Sequence, residues 1–212
     1  MESGSGFQTA GAQRIDPVEE AVQNERRGTD RHRTICRIAR VQRADDVGLW
    51  RVRNISDRGL MLAAETPATV GETLDIALSE TSSVRGRVAW VGPGCCGVTF
   101  EVPIDATAVL RGLAEEQRAE GYRALRLPVE VEAILALSDD ARPIDLVDIS
   151  QHGAGFRYDR ELDPGKEVEL ILPGGDLRRR ALVRWSQGAR GGLWFTEKLD
   201  RSALESIARL RR

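Results

Sequence analysis

Apolar and polar residues alternate along many short segments of the chain. The alternation is clearest at 49–55 and at 129–134. A period of two is typical of a half-buried β-strand. Further strands are predicted at 73–78, 83–91, 98–102, 167–172, 179–185 and 193–196. Turn-forming Gly, Pro and Asp residues separate these segments, which favours small antiparallel barrels.

The sequence also repeats itself. The segment 54–62 (NISDRGLML) matches 148–156 (DISQHGAGF) at an offset of 94, and the segments 88–90 and 97–100 match 183–185 and 192–195 at an offset of 95. A tandem duplication is therefore predicted, with a mainly β fold of two small antiparallel barrels. Trp90 and Phe100, with their counterparts Trp185 and Phe195, lie on apolar strands and are expected in the two cores.

Helical patterns occur at the end of each copy. Residues 105–120 have apolar side chains at helical spacing, with Asp105 as the expected N-cap and Gly121 beyond the end. Residues 200–212 repeat this pattern, so each barrel is predicted to be followed by a helix. The expected organisation is a disordered N-terminal tail at 1–22, a first barrel at 23–104, a helical linker at 105–121, and a second barrel with its C-terminal helix at 122–212.

Composition narrows the possible functions. The 212 residues carry 31 Lys+Arg against 33 Asp+Glu, and this balance argues against a nucleic-acid-binding protein. No apolar stretch approaches the roughly 18–20 residues that span a membrane, and the first residues lack a secretion signal, so a cytoplasmic protein without membrane contact is expected. Three cysteines and two histidines do not suggest a metal site. No paired carboxylates or nucleophile–base motif suggest an enzyme.

Two polar motifs stand out. Arg27 and Arg31 form an RxxxR motif, and residues 54–59 read (D/N)xSxxG. All but two of the 31 cationic residues are arginines, so RxxxR pairs are expected by chance in such a chain. The (D/N)xSxxG motif is expected on the order of 0.1 times at this composition. It nevertheless occurs twice, as Asn54, Ser56 and Gly59 and again as Asp148, Ser150 and Gly153. The second motif is therefore the informative one.

The arrangement of these motifs resembles the PilZ domain family, the bacterial receptors for cyclic di-GMP. The resemblance extends from about residue 24 to the C-terminus, because V-x-W and G-x-x-F strands close both copies. It implies a cyclic di-GMP site on the outer surface of the first barrel, formed by Arg27, Arg31, Asn54, Ser56 and Gly59. Arginine can bind phosphates and the Hoogsteen edge of guanine bidentately. Asn54 and Ser56, two apart on a strand, are expected to share one face.

The second copy departs from the pattern. It keeps Asp148, Ser150 and Gly153, but Tyr122 stands where the first arginine belongs. Arg123 and Arg126 are the candidate cations of a second cyclic di-GMP site. The alternative is a structural or partner-binding barrel.

Other interpretations stay open for the first copy too. Residues 26–43 hold seven arginines, and this segment is expected to be a solvated basic arm that is mobile around 26–33 until the ligand orders it. Asn54 and Ser56 can also serve only to brace a β-turn. The favoured function is a non-catalytic cyclic di-GMP effector that needs no cofactor and acts on an unidentified protein partner. The alternative is a ligand-independent PilZ-like pair that acts as a protein–protein adaptor.

Overall fold

The computed structural model describes residues 32–138, 140–175 and 177–210. Within these ranges the strands form two closed antiparallel barrels of six strands each. The first barrel consists of β1 (His32–Gln42), β2 (Val47–Ser56), β3 (Gly59–Ala63), β4 (Thr73–Ala77), β5 (Ser83–Gly92) and β6 (Cys95–Phe100). The second consists of β7 (Leu127–Ala136), β8 (Ala141–Ser150), β9 (Gly153–Arg157), β10 (Glu167–Ile171), β11 (Arg178–Gln187) and β12 (Arg190–Phe195). The predicted fold class is confirmed.

The two barrels share one topology. Neighbouring strands follow the order β1-β2-β3-β6-β5-β4 in the first barrel and β7-β8-β9-β12-β11-β10 in the second, as expected for a duplication. Both β2 and β5 carry a bulge, between Val52 and Asn54 and between Val88 and Trp90. Their counterparts β8 and β11 carry bulges at the matching positions. A bulge bends its strand and re-aims the residues that follow it, which helps the sheet to close.

The aromatic residues of the repeat divide between core and surface. Phe100 and Phe195 are buried, as predicted. The same prediction is wrong for Trp90 and Trp185, which are each 46% exposed. The reason is the bulge before each tryptophan, because one extra residue moves a side chain from the inner to the outer face of a strand. The large indole inside the first barrel is instead Trp50, which is 1% exposed.

Most of the segment predicted as a basic arm forms strand β1. Ala39 and Val41 are fully buried in the first barrel, and the arginines between and around them have partners. Arg37 donates from Nη2 to the Leu113 carbonyl at 2.9 Å, and the Arg43 guanidinium lies 2.5 Å from the Glu72 carboxylate. The backbone is therefore a barrel strand from His32 onward, and the expected solvated arm is wrong for residues 37–43. Residues 26–31 lie outside the described residues.

The first predicted helix forms as α1 (Ala106–Arg118). The Asp105 side chain accepts a hydrogen bond from the Ala108 amide at 2.8 Å, which confirms it as the N-cap. Ala106 and Leu113 pack into the core of the first barrel. The helix is thus part of the packing of that barrel as well as its connection to the second.

The second predicted helix is interrupted. Residues 201–210 form two short helices, α2 (Arg201–Leu204) and α3 (Ile207–Leu210). The backbone at the break is hydrogen-bonded to the first barrel. The Glu205 carbonyl accepts from Trp50 Nε1 at 2.8 Å, and the amide of Ile207, the first residue of α3, donates to the Asp46 side chain at 3.0 Å. Because a continuous helix needs these same backbone groups for its own ladder, it breaks here.

The C-terminal segment joins the two barrels. Leu204 and Leu210 belong to a buried apolar cluster that contains the core of the second barrel and also Val47 and Leu49 of β2. Beside this cluster lies the Glu205 side chain, which is almost completely buried. Its carboxylate accepts hydrogen bonds from the amides of Glu65 at 2.6 Å and Thr66 at 2.9 Å. No helix in the described part of the chain is long and apolar enough to cross a membrane.

Candidate ligand-binding site

The polar motif of the first copy lies at the hairpin between β2 and β3. Ile55 is buried in the barrel, and Asn54 and Ser56 on either side of it point to the outer face, as predicted. Strand β1 runs beside them, because Arg33 pairs with Asn54 and His32 with Ile55 in the strand register. The chain therefore enters the barrel next to the motif. Arg27 and Arg31 lie outside the described residues.

Ser56 braces the hairpin. Its hydroxyl donates to the Gly59 carbonyl at 3.2 Å, and Ser150 donates to the Gly153 carbonyl at 3.1 Å in the second barrel. Ser56 thus makes the turn-bracing bond that was the alternative to its role in ligand binding, and Ser150 makes the same bond. A hydroxyl has one hydrogen and two acceptor lone pairs, so this bond leaves acceptor capacity unused.

The glycine of the motif allows two strands to approach closely. A Cβ at Gly59 would lie 2.3 Å from the Val98 carbonyl oxygen of β6, and one at Gly153 would lie 2.1 Å from that of Leu193. Real Cβ atoms do not come so near to a backbone oxygen. The close approach seen at Gly59 is therefore to the neighbouring strand of the same barrel.

The motif begins a row of residues across the outer face. In the strand register Asn54 pairs with Met61, Met61 with Gly97, and Gly97 with Trp90. The Asn54 amide nitrogen lies 3.6 Å from the Met61 sulfur, and the Trp90 indole covers Gly97, where a Cβ would lie 2.0 Å from the ring. The row crosses four strands, a span of about 14 Å. It is polar at one end and aromatic at the other.

A second row runs parallel to the first. Ser56 pairs with Gly59, Gly59 with Thr99, and Thr99 with Arg87. Arg87 is exposed, and it forms no ion pair with any residue that the structure describes. The outer face thus carries a cation, Arg87, and an indole, Trp90, that were not among the site residues predicted from the sequence. The signal for Trp90 was present in the repeated V-x-W segment, but it was interpreted as core.

The corresponding polar groups of the second barrel bind each other. Arg126 and Asp148 form an ion pair at 2.5 Å, and Asp148 also accepts from the Gly155 amide at 3.0 Å. Arg123 is exposed and makes no hydrogen bond to the described residues. Arg126 and Asp148, both predicted for the second site, are therefore brought together, but in an ion pair that neutralises their charges.

The rest of this face also differs in chemistry from that of the first barrel. Its rows read Asp148, Gly155, Gly192, Trp185 and Ser150, Gly153, Trp194, Leu182. Trp194 stands where the first barrel has Thr99, and Leu182 where it has Arg87. Trp194 is 50% exposed. The face is more apolar than its counterpart and lacks the additional cation.

The cysteines on β6 are both free thiols. Burial raises the pKa of the Cys96 thiol from its ordinary 9.0 to about 11, and the neighbouring Cys95 adds to the shift. A protonated, buried thiol is a poor nucleophile and a poor metal ligand. Among the described residues no group of His, Cys, Asp and Glu side chains is arranged to hold a metal ion.

Comparison with known protein families gives one match that covers both copies. The model of the PilZ domain matches residues 25–116 and again residues 116–211. The boundary between the two matches lies within α1, near its C-terminal end. Among curated proteins, none matches the sequence.

Several solved structures resemble the chain. The PlzA protein of Borreliella burgdorferi in complex with c-di-GMP is 11% identical, with 92% of this chain and 100% of that chain covered and a TM-score of 0.37. The inhibitor of motility MotI (DgrA) of Bacillus subtilis is 12% identical, with coverage of 81% and 94% and a TM-score of 0.32. The c-di-GMP complex of MrkH from K. pneumonia is 10% identical, with coverage of 85% and 84% and a TM-score of 0.30.

Proposed function

The chain belongs to the PilZ domain family, and from this premise we propose that it is an effector that binds cyclic di-GMP on the outer face of its first barrel. The ligand-binding residues in this proposal are Arg27, Arg31, Asn54, Ser56 and Gly59. The observation that carries it is the position of the (D/N)xSxxG motif, with Asn54 and Ser56 side by side on the outer face and next to the start of β1. The RxxxR motif immediately precedes that strand in the sequence.

The chemistry of this face suits a cyclic dinucleotide. Cyclic di-GMP carries two guanines and two negatively charged phosphates, and arginine forks bind both kinds of group bidentately. The Asn54 amide can donate to and accept from a guanine edge. The exposed face of Trp90 offers a surface on which a base can stack. Arg87 supplies a further positive charge.

The second barrel is proposed not to bind the ligand. Arg126 and Asp148 satisfy each other's charge, so cyclic di-GMP would have to break this pair before using either group. Leu182 also replaces the cation that Arg87 provides in the first barrel. All of the ligand bound by one chain is therefore expected on the first barrel.

The proposed output is a change in molecular contacts and not a chemical reaction. Ligand would hold Arg27 and Arg31 against the first barrel and alter the surface around the motif. Such a switch works to the extent that ligand binds one arrangement better than the other. The signal then passes to another molecule, which we expect to be a protein.

One observation favours a second candidate function, a ligand-independent adaptor. Ser56 and Ser150 both brace their hairpins by the same bond, so the motif has a structural role without any ligand. The exposed Trp185 and Trp194 would then belong to a surface that binds a partner.

Isothermal titration calorimetry with cyclic di-GMP separates the two candidates. The wild-type chain is compared with Arg27→Ala/Arg31→Ala and with a control that removes two exposed arginines from α1, Arg111→Ala/Arg118→Ala. An effector should lose at least about 100-fold in affinity in the first variant, since each arginine makes charged hydrogen bonds, and almost nothing in the control. Absence of binding by the wild-type chain would exclude the effector and leave the adaptor.

A further inference from the structure

The outer face of the second barrel carries an exposed apolar surface. Trp194 on β12 is 50% exposed, and Leu182 of β11 pairs with it. Trp185 is 46% exposed, and its indole covers Gly192, where a Cβ would lie 2.3 Å from the ring. Gly192 and Trp194 are two residues apart on one face of β12. The side chains of Leu182, Trp185 and Trp194 therefore lie side by side, and we call them the tryptophan patch.

Cations surround the tryptophan patch. The outer face of β9, β11 and β12 has exposed arginines around it, namely Arg157, Arg180, Arg184 and Arg190. None of these four side chains forms a hydrogen bond or an ion pair with the part of the chain that the structure describes. From the start of β11 to the end of β12 the chain has five arginines and no Asp or Glu. The guanidinium groups around the patch are thus available to an acidic partner.

Carboxylates border the patch on the neighbouring strands. Glu167 and Glu169 lie on β10, and Asp145 of β8 pairs with Arg157 in the strand register. None of the three forms an ion pair with a described residue. They are arranged to repel a long polyanion that runs past the patch, whereas a short acidic segment fits between them.

The first barrel shows that the fold is built without most of these side chains. Both barrels close by the same order of strands. At the positions of Trp194, Arg157, Arg184 and Arg190, the first barrel has Thr99, Ala63, Ala89 and Cys95. The indole and the three guanidinium groups are therefore not needed to form the barrel. Exposed tryptophan together with arginine is typical of the residues that contribute most to binding in protein interfaces.

The size of the patch favours a short occupant over a second copy of the chain. The patch and its arginines extend along β12 from Arg190 to Thr196, about 20 Å, and across β9, β12 and β11, about 10 Å. The projected area of about 200 Å² is far below the roughly 800 Å² that each partner buries in a stable interface. This face by itself therefore does not hold two folded chains together.

From these observations we propose that the tryptophan patch binds a short acidic segment of a partner protein, in which an aromatic or aliphatic side chain lies between carboxylates. The apolar side chain packs on Trp185 and Trp194, and Arg180 and Arg190 bind carboxylates at the two ends of the patch. Single-stranded nucleic acid also binds arginines and aromatic rings, but the bordering carboxylates oppose its continuous row of phosphates. The inference goes beyond the proposed function and does not depend on cyclic di-GMP binding by the first barrel.

Selection of a displayed library of random twelve-residue peptides on the full chain tests this proposal. The enriched peptides are labelled, and their affinity is measured by fluorescence anisotropy without cyclic di-GMP. The patch variant is Trp194→Thr/Arg184→Ala, which introduces the residues that the first barrel has at these positions. The matched control is Arg118→Ala/Tyr122→Ala, which removes an exposed arginine and an exposed aromatic ring near the end of α1. Thermal unfolding checks that each variant is folded.

The enriched peptides should be rich in Asp, Glu and large apolar residues and poor in Lys and Arg. They should bind the patch variant about 30-fold more weakly than wild type and the control within about twofold, because a central tryptophan contributes much of the binding energy of such a site. No enriched peptide, mainly basic peptides, or wild-type affinity in the folded patch variant would overturn the proposal.

Two further measurements identify the other possible occupants. A labelled oligo-dT strand that binds wild type in place of acidic peptides, and binds the patch variant weakly, would assign the patch to nucleic acid and overturn the proposal. A dimer in sedimentation velocity that the patch variant abolishes would assign the patch to a second copy of the chain and also overturn it. Failure of the chain to bind cyclic di-GMP would contradict the proposed effector and leave the patch standing.

Discussion

At the scale of single residues, two glycines shape the outer face of the first barrel, because each leaves space that a side chain would fill. Gly59 lets β3 approach β6, and Gly97 leaves room for the Trp90 indole to lie flat on the sheet. Neither position depends on a left-handed backbone conformation, since both residues lie within strands and outside the set of glycines with positive φ. A larger residue at either position is therefore disfavoured by steric overlap and not by backbone strain.

Gly59→Ala should destabilise the protein by about 1–3 kcal/mol, because the new methyl group must push the Val98 carbonyl away. Gly112→Ala is the matched control. Nothing lies within 4 Å of a Cβ built at Gly112, and its place in α1 makes alanine favourable by about 0.5–1 kcal/mol. Urea unfolding measures both values. Equal stability of Gly59→Ala and wild type would contradict the close approach.

The two exposed tryptophans of the repeat offer a matched pair for the ligand site. Trp90→Ala should weaken cyclic di-GMP binding by about tenfold, since base stacking on an aromatic side chain contributes about 1–3 kcal/mol. Trp185→Ala removes the same group from the second barrel, where no ligand is expected, and should leave affinity unchanged. Fluorescence or calorimetric titration measures both. The reverse result would move the site to the second barrel.

At the scale of strands and helices, the C-terminal segment depends on the first barrel for its hydrogen bonds. The Glu205 carboxylate is bonded to the loop after β3, and its carbonyl to Trp50. Loss of these hydrogen bonds would destabilise the protein, since buried amides without acceptors have lost their contact with water and gained no partner. The short helices α2 and α3 are therefore held by tertiary contacts more than by their own ladders.

Glu205→Ala should lower the free energy of unfolding by about 3 kcal/mol, the cost of breaking a buried, multiply bonded carboxylate. It should also loosen α2 and α3, which hydrogen exchange would report as faster exchange of their amides. Glu197→Ala, at an exposed carboxylate, is the control. If Glu205→Ala unfolded like that control, the carboxylate would not be the link between the barrels.

The repeat was sufficient to predict two barrels, but the alternation of apolar residues could not reveal their bulges. In β5 a strict period of two puts Val88 and Trp90 on one face, and the bulge between them sends Trp90 outward. In β1 the alternation was hidden because arginines flank the buried Ala39 and Val41. Long guanidinium side chains reach partners far away in sequence, and no local pattern records those partners.

At the scale of the whole molecule, duplication has produced two barrels with unequal surfaces. Both keep the hairpin serine and glycine, which stabilise the fold itself. They differ at Asn54 against Asp148 and at Arg87 against Leu182, where the first barrel keeps polar groups available and the second pairs or replaces them. The motif could be predicted from the sequence, but the Arg126–Asp148 pair required the fold, because strand register brings these residues together.

From this asymmetry we expect the cyclic di-GMP site to lie on the first barrel. The most direct test measures the amount and affinity of cyclic di-GMP bound per chain in Asn54→Ala and in Asp148→Ala. Calorimetry gives both quantities for each variant, with thermal unfolding as the check on folding. Loss of nearly all binding in Asn54→Ala, with wild-type affinity and molar ratio in Asp148→Ala, is the predicted result. Binding that survives in Asn54→Ala and disappears in Asp148→Ala would contradict a ligand site on the first barrel.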